Sequence, residues 1–323
     1  MIQKKDKRFV VYANCQSNAL AQTLMENIEF SSVYEWVPIP PVQTLREIDI
    51  QEVISKVESA DLFIYQPITT SHNRPKELSS DFLTKVVKPR ANSISFPSIY
   101  FDGYFPHLQT FKGYVSTLNL VHDYVIAYSC AIGLSEGETF ELIQDENLYS
   151  EKLSSKLADS SLKKLEYRES QFNIDIKVSG VIRENYRRIK MFNQFNHPRR
   201  VVFKHIAESI MRKIGIINFY IDECGPSRLD KIMTPVYRST YKNLKLEFEE
   251  DFECYNGLSG KGKKQRDVIS EFFEFYKLQN PREIMRHVSR TKPFIPKIIK
   301  DITGRSTKRR GRSFFFYGWW RHW

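Results

Sequence analysis

Long apolar runs, paired cysteines and metal-ligand spacings are all missing from this chain. No stretch of about eighteen apolar residues occurs, so no segment is expected to span a bilayer as a helix. The N-terminal MIQKKDKRFVVYANC has no long apolar core, and no signal peptide is expected. Cys15, Cys130, Cys224 and Cys254 form no CxxC pair and no zinc pattern, and read as free thiols of a reducing compartment. Neither HExxH nor a DxD between strand and loop is present, so no metal site is expected. GLSGKGKK at 257–264 lacks both the P-loop pattern and a preceding strand, and reads as a flexible linker. No nucleic-acid module is recognisable either. Together these absences predict a cytoplasmic protein with no metal and no nucleic-acid partner.

The excess of positive charge is local. The chain carries 49 Lys and Arg against 38 Asp and Glu, a net of +11. Residues 281–323 hold twelve cations and two acids, a net of +10, so the body is close to neutral. The end of the chain, KPFIPKIIKDITGRSTKRRGRSFFFYGWWRHW, closes on a cluster of Lys and Arg followed by three Phe, a Tyr and three Trp. That mixture suits an anionic membrane surface, where charge attracts and aromatic rings settle among headgroups. Peripheral attachment through the tail is therefore expected. The competing readings are a disordered tail and one that folds back on the domain.

Patterning in the body points to α/β architecture. Phe9 to Tyr12 reads as a buried strand, and Leu20, Leu24, Met25 and Ile28 then recur at helical spacing. Further strands are expected at 33–39, 61–66 and 92–101, with a helix over 48–57 between two of them. Alternation of this kind predicts a parallel sheet with helices on both faces. Residues 121–192 read as a helical insertion, and Pro198 as the first residue of a helix ending near Gly215. The expected division is a catalytic α/β domain over 1–255 and a helical, basic and aromatic extension over 256–323.

The turn Asn14-Cys15-Gln16-Ser17-Asn18 carries the first chemical signal. It follows a strand and opens a helix, with Ser17 or Asn18 as the expected N-cap. Ligands of open α/β sheets bind at the carboxyl ends of strands. A thiol facing a helix N-terminus is expected to ionise more readily, and the N–H groups around Gln16 and Ser17 can hold an oxyanion. The competing reading of Cys15 is a small buried hydrophobe. Gln66, at the end of a later strand, again brings hydrogen-bonding groups to that edge.

ANCQSNAL, SFPSIYFDGYFPHL and FNQFNHPRR together resemble the WcbI-type polysaccharide-biosynthesis enzymes over roughly residues 8–220. Ala13 stands where that family more often has glycine. The resemblance implies a fold related to the SGNH hydrolases, coenzyme A as ligand, and acetyl transfer to a polysaccharide or lipid-linked sugar. On it, Cys15 is the candidate nucleophile, with Asn14 and Gln16 as amide donors. His197 is the preferred base and His107 the second choice; His122 and His205 are expected on helices. Candidate coenzyme A contacts are Ser17, Tyr104, Arg199, Arg200 and Lys204, with Tyr100, Phe101 and Phe105 as further aromatic surfaces. Three functions stay open: an acyltransferase, an esterase or deacetylase using cysteine, and a membrane-tethered subunit without activity.

Overall fold

Phe9, Val10, Val11 and Tyr12 alternate between two apolar layers, and that alternation sets the architecture. Phe9 and Val11 join Leu62, Ile64 and Ile94 on one face, while Val10 and Tyr12 join Phe63 on the other. A strand apolar on both sides needs cover on both sides. The computed structural model, which describes residues 6–70, 75–111, 121–217, 220–221, 228–256 and 262–305, supplies it.

Four parallel strands form the central sheet: β1 (Lys7–Tyr12), β2 (Tyr34–Trp36), β3 (Leu62–Tyr65) and β4 (Asn92–Ser95), in the order β2-β1-β3-β4. Phe9 pairs with Leu62, and Leu62 in turn with Asn92. Helix α1 (Ser17–Met25) and the short α2 (Ile28–Val33) connect β1 to β2; α3 (Ile50–Ser59) and α4 (Ser80–Val86) flank β3 in sequence. Leu20 and Leu24 of α1 cover the Phe9 face, and Val53, Val57 and Leu83 cover the Val10 face. Each such fully buried aliphatic or phenyl side chain contributes about 1.5–3 kcal/mol.

Past the sheet, β5 (Leu108–Thr110) pairs antiparallel with β6 (Val121–Asp123). Asp123 then caps α5 (Tyr124–Ala131), accepting from the N–H groups of Val125 and Ile126. Helices α6 (Glu136–Gln144), α7 (Glu151–Gln171) and α8 (Ser179–Asn185) follow. A tight hairpin of β7 (Phe192–Gln194) and β8 (His197–Pro198) leads into α9 (Arg200–Lys213), which ends at Gly215 in a left-handed conformation (φ 86°). Its apolar face, with Val202, Phe203, Ile206 and Ile210, packs beside α1 under the sheet. After α10 (Arg238–Leu244) come the hairpin β9 (Cys254–Asn256) and β10 (Gly262–Lys264), then α11 (Gln265–Lys277), α12 (Pro281–Thr291) and α13 (Phe294–Thr303). Residues of these last helices, among them Phe272, Val288 and Ile299, share one continuous core with Phe9.

Several expectations need correction. The fourth strand stops at Ser95 instead of continuing to Phe101, because Pro97 has no N–H to give a sheet. Pro198 lies in β8, and the helix begins at Arg200, two residues later than expected, with Arg199 at the cap position. Gly262–Lys264 forms a strand where a linker was expected, held by pairing with Cys254–Asn256. His122 lies on β6, with Nδ1 2.6 Å from the Tyr276 hydroxyl. The aromatic end of the tail, 306–323, falls outside the described residues. Among those residues no helix is long and apolar enough to cross a membrane.

Candidate active site

The chain leaves β1 toward β2 on one side and leaves β3 toward β4 on the other. The crevice between β1 and β3 is thus the topological switch point of the sheet, where α/β proteins bind ligands. Cys15 and Gln66 stand at its two lips.

The turn after β1 is built by Asn14. Its side-chain oxygen accepts from the Gln16 N–H at 3.0 Å, and its carbonyl accepts from the Ser17 N–H at 3.0 Å. Helix α1 therefore starts without a side-chain cap from Ser17 or Asn18; Gln16 occupies the cap position. The two N–H groups expected to hold an oxyanion are already satisfied within the turn. What remains on the open side is the Asn14 amide, 3.4 Å from the Tyr100 hydroxyl.

Gln16 is fully buried, and its amide is a clasp. It donates to the carbonyls of Ile99 (2.8 Å) and Asn196 (3.1 Å), and accepts from the Gln66 amide (2.8 Å) and the Ile99 N–H (3.3 Å). Gln66 adds bonds from the Asn14 N–H and to the Pro97 carbonyl. One pair of amides thereby ties together the segments after β1, β3 and β4 and the β7–β8 turn. Gln16 is a positioning residue, not the free donor expected from its place in the motif.

Above the clasp lies a cavity of about 400 Å³, lined by Asn14, Cys15, Ser98, Tyr100, Gln194, Asn196 and His197. Val42, Ile68, Thr110, Val121 and Ile232 supply apolar and small surface. Within it, Gln194 Oε1 and Asn196 Oδ1 are buried with no hydrogen-bond partner among the described residues. Gln194 and Asn196 thus bring amide groups to the wall of the cavity.

The Cys15 thiol is pushed up to about 11, because burial outweighs the help of its own backbone N–H. This reverses the expectation of a thiolate. The helix dipole acts over the first turn, but removing the sulfur from water costs the anion more. Cys15 is a neutral thiol at pH 7. Burial likewise raises Tyr100, which keeps its proton and stays a donor.

The other candidate ligand residues lie as follows. Tyr104 is fully buried and bonded to the carbonyls of Tyr186 and Ile189, and Phe101 and Phe105 lie in the core beside it. Tyr100 alone of that aromatic group reaches the cavity. Arg200 is held in a bidentate pair with Glu26 at the end of α1, and Lys204 lies 3.9 Å from Glu208. Arg199 is exposed at the start of α9 and makes no ion pair among the described residues. Ser17 is buried beneath the turn. His107, the second-choice base, is sealed in the core, its ring 3.7 Å from that of Tyr237 and stacked on it. His205 lies on α9 as expected. The hairpin that presents Gln194 and Asn196 has no local sequence signal, because the adjacent proline also suits a helix start.

The fold and this site define an α/β protein with a ligand cavity at the carboxyl ends of its parallel strands. Residues 8–218 match the sequence model of the family described as polysaccharide biosynthesis enzyme WcbI. The chain belongs to that family. A solved structure described as native WcbI, a polysaccharide biosynthesis enzyme, without a disulfide bond between coenzyme A and a cysteine, superposes with a TM-score of 0.82. The two are 22% identical, and the match covers 91% of this chain and 98% of that one, so the shared fold includes the C-terminal helices. No curated protein matches.

Proposed function

We propose that the chain is a coenzyme A-dependent acyltransferase, an O-acetyltransferase acting on a sugar of a surface polysaccharide. The observation that carries this reading is the grouping of His197, Cys15, Asn14 and two unsatisfied acceptors, Gln194 Oε1 and Asn196 Oδ1, around one cavity. A wall carrying the amides of Asn14, Gln194 and Asn196 suits a pantetheine arm or the hydroxyls of a sugar. Family membership supports the polysaccharide, and the structural relative's description supports coenzyme A.

In this reading His197 takes the proton of a sugar hydroxyl as its oxygen attacks the thioester carbonyl. Asn14 Nδ2 and the Tyr100 hydroxyl are the donors for the oxyanion. The carbon–sulfur bond then breaks, and the coenzyme A sulfur leaves with the proton held by His197. Cys15 shapes the cavity as a neutral thiol; burial argues against its serving as the nucleophile. Turnover of acetyl-CoA with a polysaccharide acceptor tests both points. Cys15→Ala is expected to keep turnover within about tenfold. Loss of about a thousandfold or more, with an acyl group trapped on Cys15 of the parent protein, would establish the covalent route instead.

A further inference from the structure

Helix α7 carries its charges unequally around its circumference. Its acids are engaged with neighbouring elements: Glu151 with Lys245 at 3.0 Å, Glu166 with Arg183 at 2.6 Å, and Glu169 with the first N–H groups of α8. Its outer face is an open groove lined by Lys152, Lys156, Lys163, Lys164 and Arg168 against a single acid, Asp159. The four lysines are exposed and make no ion pair among the described residues. The face therefore gathers five cations against one acid along a single helix.

This face also has a direction. Lys152 and Arg168 stand about 24 Å apart along the helix at 1.5 Å per residue. At the Arg168 end the guanidinium lies over the Tyr100 ring, 5.6 Å from its centre, and Tyr100 is a wall of the Cys15 cavity. Two of the Arg168 nitrogens, Nε and Nη2, are buried without a partner among the described residues. Beside it Tyr167 is 65% exposed in the groove, an aromatic platform next to the cations.

We propose that the outer face of α7 is a subsite for an acidic glycan chain, one bearing uronate or phosphate groups, and that it leads the acceptor end toward the cavity. The inference deepens the acyltransferase reading and rests on it for the direction of the chain. Charges spaced over five turns match a polymer charged at intervals, whereas coenzyme A concentrates its phosphates on one nucleotide. Tyr167 supplies the face on which a sugar ring stacks. A membrane-bound helix would need an apolar stripe, and Tyr167 is the one large exposed apolar side chain in this groove.

The test uses the full chain with short oligogalacturonate, a neutral dextran oligomer of the same length, poly(U) RNA and coenzyme A as separate probes. Lys163→Glu/Lys164→Glu is expected to weaken oligogalacturonate binding about tenfold or more at low salt. Its coenzyme A affinity should stay within about twofold of the parent, and dextran should not bind either protein. Tyr167→Ala should weaken the acidic glycan without changing the salt dependence. If the double variant does not fold, Lys152→Glu/Lys156→Glu serves in its place. Unchanged oligogalacturonate affinity would overturn the proposal. So would a parallel loss of coenzyme A binding, or poly(U) binding as tight and as sensitive to the same substitutions. Glycan binding that depends on α7 in a protein that ignores coenzyme A would keep the subsite and sink the acyltransferase reading.

Discussion

His107 and His197 both follow aromatic, polar stretches of the sequence, and their surroundings in the fold could hardly differ more. His197 is half-buried on a hairpin and looks into a cavity beside Cys15 and Asn14. His107 has no exposure at all; neither ring nitrogen has a hydrogen-bond partner among the described residues, and Asp123 Oδ2 lies 3.7 Å away. Burial drives the His107 pKa well below the ordinary histidine value, with Lys292 adding to the effect, so the ring stays neutral. Burial pushes the Asp123 carboxyl the other way, up to about 6, against the bonds it accepts from Tyr237, Ile126 and Val125. An imidazole beside a carboxylate is thus not by itself an acid–base site. Access to a ligand-sized space separates the two regions.

Substituting the histidines gives the widest contrast. His197→Ala is expected to lower acetyl-transfer turnover by about 10²–10⁴ with little change in thermal stability. His107→Ala should instead cost about 2–4 kcal/mol of stability, read by denaturant titration, through loss of stacking in a packed core. Its folded fraction should bind coenzyme A normally. A stable His107→Ala protein with abolished turnover would invert the comparison.

The clasp beneath the cavity comes next. Gln16→Ala removes one of the two acceptors of the Gln66 amide and the donor to the carbonyls of Ile99 and Asn196, and should cost about 2–4 kcal/mol. Unaltered stability with lost turnover would mean that Gln16 touches the reacting groups.

A smaller, pH-dependent effect belongs to the sealed region. Because the folded pKa of Asp123 is raised, its contribution to stability is fully present below about pH 4 and declines as pH rises through about 6. Asp123→Asn keeps the helix cap, and its stability relative to the parent should improve as pH rises from about 4 to 7. A difference that stays constant over that window would show that the carboxyl is not held protonated by burial.

Local patterns made the frame of the molecule readable. The apolar run at Phe9–Tyr12, the helical spacing of Leu20 and Leu24, and the strand at 61–66 each reflect burial of a face by nearby residues, and each was found in place. Asn14-Cys15-Gln16 was legible as a site for the same reason. Its electrostatics were not, since burial raises the Cys15 pKa, and the residues that share its cavity, Tyr100 and those of the β7–β8 hairpin, come from far along the chain. Arg200 and Lys204 looked like phosphate partners because Glu26 is 174 residues from Arg200 in sequence. Gln16 looked free because Gln66, Ile99 and Asn196 cannot be aligned with it by spacing alone. Pro198 misled more simply: a proline just before a helix is equally at home in a short edge strand.

The central claim is that the cavity between β1 and β3 is where coenzyme A binds. Cys15 and Cys130 are both half-buried thiols, and Cys130 lies on α5, away from that cavity. Iodoacetamide labelling of both, followed by peptide mass spectrometry with and without coenzyme A, measures the claim directly. Saturating coenzyme A is expected to slow alkylation of Cys15 at least about tenfold and leave Cys130 unchanged. Equal labelling of Cys15 in the presence and absence of coenzyme A would contradict it.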